Sequence, residues 1–228
     1  MKSLDVIIPL SADESVSGVL DIPQEFEAGR TAAVIVSHGA GNDMHTPLMV
    51  HFSTGLCRAG FLSLRFNFPY KDKGQRAPDP PEKLNRTWQD AFEFVMNHPQ
   101  FGTPRIVAVG KSMGGRIASQ MTADGLILPK ALIFLGYPLH APGRKEQLRD
   151  AHLYRINIPM LFFAGTRDTL CDLDLLKPVV SRLKGPTVLE VIEGGDHSFV
   201  LPKSFKTSEE EVCDRILKRT IAWLRQTI

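Results

Sequence analysis

Six short apolar runs, Ala33 to Val36, Leu62 to Phe66, Ile106 to Val109, Ala131 to Leu135, Met160 to Ala164 and Val188 to Ile192, recur along the chain with helical patterns between them. Most are apolar at every position, as strands buried on both faces are. Such strands need helices on each side of their sheet. Alternation with right-handed crossovers therefore predicts an α/β fold, a three-layer αβα sandwich with a mostly parallel central sheet. Two earlier segments, Leu4 to Ile8 and Val16 to Leu20, instead alternate apolar with polar and flank "PLSADES". They predict an antiparallel hairpin at the sheet edge.

Between the runs, Trp88, Ala91, Phe92, Val95 and Met96 fall at i, i+3, i+4, i+7 and i+8, one stripe of a helix that ends near Pro99. Ser208 and Glu211 have capping-box spacing ahead of a final helix with Cys213, Ile216, Leu217, Thr220, Trp223 and Leu224 on one face. The Pro-rich, charged stretch Tyr70 to Asn85 reads as a surface loop near the site. At 228 residues the chain suits a single domain spanning 1–228.

With 27 Lys and Arg against 25 Asp and Glu, the net charge is +2 and no block of like charge stands out. A nucleic-acid partner is not expected. No apolar run approaches the roughly 20 residues of a membrane span, and the opening "MKSLDVIIPLSADE" lacks the apolar core of a secretory leader. Cys57, Cys171 and Cys213 are odd in number and scattered. They read as reduced thiols, which points to the cytoplasm and away from a metal site.

"AVGKSMGGR", Ala108 to Arg116, admits two chemistries. Gly110-Lys111-Ser112 matches the end of a phosphate-binding loop, and Gly110-Lys111-Ser112-Met113-Gly114 matches the G-x-S-x-G turn that exposes a serine nucleophile. The first needs a curled loop of amides before the lysine. Its leading glycine would fall at Arg105, and the four residues between, Ile106 to Val109, are the strand itself. Without a loop there is no cradle. A sharp strand-to-helix turn needs small flanking residues, and Gly110, Gly114 and Gly115 supply them.

A serine hydroxyl needs a base, and the base needs a carboxylate to orient it. After the run Met160 to Ala164 comes "GTRD" with Asp168, and after Val188 to Ile192 comes "EGGDHSF" with His197. The order Ser, Asp, His, each past a strand, suits this fold. Asp172 and Asp174 lie in what reads as a helix's first turn, and Asp196 adjoins the histidine too closely to orient it. Two backbone N–H groups would stabilise a tetrahedral oxyanion: that of Met113, after the nucleophile, and that of Ala40, in "VSHGAGND" after the first parallel strand.

"SHGAG", "RFNFPY", "GKSMGGR", "LGYPLHAPG", "GTRD" and "DHSF" together resemble the α/β-hydrolase superfamily, in its compact dienelactone-hydrolase-like branch. More closely they resemble a bacterial hydrolase-like group related to a vertebrate testis-expressed protein and to a subunit of a chromatin-acetylating complex. The resemblance implies Ser112, Asp168 and His197 as a catalytic triad, with no cofactor and no metal. Two departures stand out. Dienelactone hydrolase uses a cysteine where this chain has Ser112, and only about 25 residues separate Leu135 from Met160, too few for the large cap of many relatives.

The function expected is hydrolysis of a small-molecule carboxylic ester, thioester or lactone; the alternative is a binding or scaffold protein on the same fold, which commonly lacks a triad member. Arg65, Asn67, Tyr70, Lys71, Lys111, Arg116, Tyr137, His140 and Arg167 stand at or past strand ends. They suggest a substrate carrying a carboxylate or phosphate. Lys111 stays open between a rim cation and a residue that holds the turn.

Overall fold

In the computed structural model, which describes residues 1–11 and 13–228, the six apolar runs become six parallel strands. They are β3 (Ala33–Ser37), β4 (Leu62–Phe66), β5 (Ile106–Lys111), β6 (Ala131–Leu135), β7 (Met160–Gly165) and β8 (Thr187–Ile192). The alternating segments form an antiparallel hairpin, β1 (Lys2–Pro9) and β2 (Ser15–Ile22); Ala12 lies outside the described residues. One sheet results, in the order β1-β2-β4-β3-β5-β6-β7-β8, and β2 joins it antiparallel to β4. The predicted edge hairpin and mostly parallel sheet are both present.

Period-two alternation sorts the strand side chains into two cores. Val34, Val36, Val107, Val109, Ile133 and Leu135 face α1 (Pro47–Arg58) and α6 (Glu209–Thr227). Ile35, Leu64, Ala108, Leu132, Phe134 and Phe162 face α3 (Pro81–Asn97), α4 (Met113–Ala123) and α5 (Leu173–Ser181). The outer strand β8 is half-buried along most of its length, with Val191 38% exposed, as an edge position leaves one flank uncovered. At α6 the Ser208–Glu211 capping box forms in both directions.

The stretch Tyr70 to Asn85 is not one loop. Pro69–Asp72 forms the short helix α2, and α3 begins at Pro81. Proline at a first helical position has its φ preset and lacks only an N–H that would have no intrahelical partner. Polar contacts then fold the remainder back: Asp79 accepts from Tyr70 N–H (2.8 Å), and Asp72 from Ser17 N–H (2.6 Å). The chain between β6 and β7 carries a single turn of 3₁₀ helix, Leu153–Arg155, and no large cap.

Asp21 on β2 is fully buried. Its carboxylate accepts from Ser3 Oγ (2.6 Å), Ser53 Oγ (2.8 Å) and Arg65 Nη1 (2.7 Å). Arg65, expected at the rim, is thus the buried counter-charge of Asp21 and ties α1 and β4 to the hairpin. Removing one member of such a pair strands the other in a poorly polarisable interior. Arg65→Leu should cost about 3–5 kcal/mol, with much of the loss recovered in Asp21→Asn/Arg65→Leu; urea unfolding of the three proteins checks this.

Candidate active site

Chain reversal between β5 and α4 takes one residue. β5 ends at Lys111, α4 begins at Met113, and Ser112 between them has φ 50° and ψ −116°. A non-glycine residue in that region is strained, and surrounding structure has to hold it there. The glycines make the turn sterically possible. A Cβ on Gly110 would overlap the Gly115 backbone, and one on Gly114 would overlap Ser37 Oγ and lie 2.8 Å from the His38 carbonyl. The Trp88 indole N–H donates to the Gly114 carbonyl (3.2 Å), which fastens the turn to α3. There is no loop of amides here, so the phosphate-cradle reading has no physical basis.

The loops after β7 and β8 bring Asp168 and His197 to this serine. His197 Nε2 lies 2.8 Å from Ser112 Oγ, and His197 Nδ1 lies 2.8 and 3.0 Å from the two Asp168 oxygens. With the imidazole proton on Nδ1, facing the carboxylate, Nε2 is left to accept the serine proton. Asp168 also accepts from Leu170 N–H (2.7 Å), so its own loop fixes its orientation. The Asp168 side chain is fully buried while the His197 side chain is 21% exposed. Ser112 is half-buried and open to solvent. Asp196 does a different job: it accepts from Ser198 N–H (2.8 Å) and Val200 N–H (3.0 Å), closing a tight turn that puts Phe199 at φ 66°.

The loop after β3 reaches the serine from the other side. A Cβ on Gly39 would lie 3.3 Å from Ser112 Cβ, a tight contact that glycine avoids where this backbone passes the serine. The Gly39 carbonyl accepts from His38 Nδ1 (2.9 Å), Asn42 N–H (3.3 Å) and the Tyr70 hydroxyl (3.5 Å). In a trans peptide the N–H points opposite to the C=O. Holding the Gly39 carbonyl from one side therefore aims the Ala40 N–H away from that side. Met113 N–H is the first of α4, and such a group has no intrahelical acceptor.

His38 Nε2 in turn accepts from Phe68 N–H (3.2 Å), and Asn67 Oδ1 accepts from Met44 N–H (2.9 Å), pinning the loop after β3 to the chain after β4. No motif marked His38 or Asp196 for these roles. Each acts on main-chain groups whose place depends on tertiary folding.

Most of the expected rim residues are occupied inside the protein. Besides Arg65, Tyr70 is fully buried against His38 and Phe68. Tyr137 is buried, and its hydroxyl donates to the Arg149 carbonyl (2.6 Å). His140 is buried, with Nδ1 3.0 Å from the Ala141 carbonyl and Nε2 accepting from Asp172 N–H (3.1 Å), which straps the loop after β6 to the Asp168 loop. Arg116, half-buried in the first turn of α4, donates to Gln120 (3.1 Å).

The two readings of Lys111 meet in the geometry. The residue is 6% exposed, and its ammonium donates to the His197 carbonyl (2.6 Å) above the Phe199 ring. It therefore ties the serine turn to the histidine turn. Burial pulls its pKa down to about 8, against the raising pull of Asp168 and Asp196.

Burial also pushes the His38 imidazole from 6.5 down to about 4, so it stays neutral in the folded protein at neutral pH. Below 6.5 the unfolded chain takes up a proton that folded His38 refuses, and stability falls as pH drops towards 4. At pH 4.5 this share amounts to about 2–3 kcal/mol, and His38→Gln should lack it; urea midpoints of both proteins at pH 7 and 4.5 give the difference. Gly114→Ala should cost about 2–4 kcal/mol in thermal unfolding, through its overlap with Ser37.

Comparison with known proteins agrees with this architecture. The chain is similar in structure to dienelactone hydrolase from Anabaena variabilis, with a TM-score of 0.76, 17% identity, and coverage of 100% of this chain and 98% of that one. An alpha-beta serine hydrolase homologue from Coxiella burnetii gives a TM-score of 0.76 at 18% identity, covering 98% of each chain. Est1E from Butyrivibrio proteoclasticus, solved with ferulic acid bound, gives 0.76 at 13% identity, covering 97% of this chain and 98% of that one. At such identities the likeness is one of fold. The family model described as alpha/beta hydrolase domain matches residues 30–225, from before β3 into the last turn of α6. On that match, the chain belongs to the alpha/beta hydrolase domain family.

Proposed function

We propose that this protein is a serine hydrolase acting on a small-molecule carboxylic ester, thioester or lactone. The observation that carries the reading is the unbroken hydrogen-bonded series Asp168, His197, Ser112, open to solvent at the serine. Its members come from three separate strand ends. Structural likeness to a protein solved with ferulic acid bound and to a dienelactone hydrolase supports an ester-type substrate.

Ser112 Oγ attacks the acyl carbon while His197 Nε2 takes the hydroxyl proton. The carbonyl π electrons move onto oxygen, where Met113 N–H and Ala40 N–H stabilise the oxyanion. Collapse breaks the bond to the leaving group, His197 returns its proton to that group, and an acyl ester remains on Ser112. Water, deprotonated by His197, attacks this ester; its collapse frees the acid and restores the serine proton. Asp168 holds the imidazole and stabilises its charged form throughout. The three free thiols and the lack, among the described residues, of a helix long and apolar enough to cross a membrane are compatible with work in the cytoplasm.

A fluorophosphonate probe should label Ser112, read by mass spectrometry of the labelled peptide, and His197→Ala should abolish fast labelling. Asp168→Asn should lower kcat for an activated ester by about 10⁴, with KM changing little. Absence of labelling in the intact protein would leave a binding scaffold as the reading.

A further inference from the structure

Beside the serine lies a groove of about 770 Å³ that the proposed chemistry does not use. Its inner end is formed by Gly39, Lys111 and Ser198. Ser112 and His197 do not line it but adjoin this end: a Cβ on Gly39 would lie 3.3 Å from Ser112 Cβ, and Lys111 donates to the His197 carbonyl. From there it runs outward between α1 and α6. Leu48, Val50, Phe199 and Val200 supply its apolar walls, and Glu209 and Glu210 stand at the α6 end.

The charge around it is unlike that expected of an anion site. Lys111, the cation at its inner end, is bound to the His197 carbonyl and lies in the field of Asp168 and Asp196. Arg65 is spent on Asp21. The N-terminus of α1 brings about half a positive charge, but Asp43 sits next to it and accepts from His45 N–H. At the N-terminus of α6, Glu209, Glu210 and Glu211 more than offset the helix dipole. His51 faces the groove with Asp214 2.9 Å from its Nε2. An anion entering here would lose water and meet two carboxylates.

We infer that this groove holds an uncharged, apolar chain of the substrate and rejects one that ends in a carboxylate or phosphate. The inference rests on the hydrolase reading for its chemistry, though not for its binding test. It reverses the expectation of an anionic substrate: of the cations that motivated that expectation, Arg65 and Lys111 are committed to internal partners and Lys71 and Arg167 do not line the groove, whereas Glu209 and Glu210 do.

Three 4-nitrophenyl esters discriminate: the acetate, the octanoate and the mono-ester of octanedioic acid, which is as long as octanoate but anionic at its far end. The octanoate should exceed the acetate in kcat/KM by about tenfold or more, and the mono-ester should fall below the octanoate by about tenfold. Val200→Trp and Val50→Trp fill the groove from a loop and from α1. Either should lower the octanoate-to-acetate ratio about tenfold, and Glu209→Gln/Glu210→Gln should narrow the penalty on the mono-ester. Octyl acetate against ethyl acetate tells whether the chain sits on the acyl or the alcohol side.

Binding of octanamide to Ser112→Ala, followed by NMR shifts, is independent of turnover. Binding that is lost on adding Val200→Trp, in a protein that hydrolyses no ester, would keep the groove and remove the hydrolase reading. Absence of octanamide binding would overturn the groove. So would a chain-length preference untouched by both tryptophan variants, or a mono-ester turned over as fast as the octanoate.

Discussion

Everything in this molecule that bears on chemistry depends on turning the chain from β5 into α4 at the single residue Ser112. That turn brings the Gly110 and Gly115 backbones together without room for a Cβ, and it leaves Ser112 at φ 50°. Such strain persists only where neighbours over-determine the geometry. Here Trp88 fastens Gly114 from α3, and Lys111 fastens the last strand residue to the histidine loop. The two opposing cores hold β5 in the middle of the sheet.

Around the turn, neutral histidines act as fasteners between loops. His38 links the loop after β3 to the chain after β4, and His140 links the loop after β6 to the one after β7. Each ring has one nitrogen beside a carbonyl of the next residue and accepts a main-chain N–H at the other. Such a ring can serve both partners only in one neutral tautomer. Desolvation of His38 protects that state at neutral pH and becomes a liability in acid. The groove follows from the same framework: its inner end is the backbone that must approach Ser112, and its walls are the two helices covering one face of the sheet.

Much of the fold was legible because burial on two faces leaves a local trace: continuous apolar runs of strand length. The alternating hairpin and the α6 capping box are equally local patterns, and both formed. In the Tyr70 to Asn85 stretch, proline and charge mark a loop and a helix start alike, and Pro69 and Pro81 occupy first helical positions. In the site, the juxtaposition of Ser112, Asp168 and His197 was legible from glycine spacing and strand order. The surrounding cations were not. Position past a strand end does not tell whether a side chain turns to solvent or to a partner such as Asp21, which lies 44 residues away from Arg65.

The sequence by itself determined the alternation of strands and helices and the Gly-flanked serine, because periodicity and small residues act through neighbours along the chain. Tertiary structure alone decided that Arg65 neutralises a buried carboxylate, that Lys111 joins two loops, and that Glu209 and Glu210 face the groove beside Ser112. Those outcomes depend on which charges are desolvated together, and desolvation is a property of the assembled fold rather than of any segment.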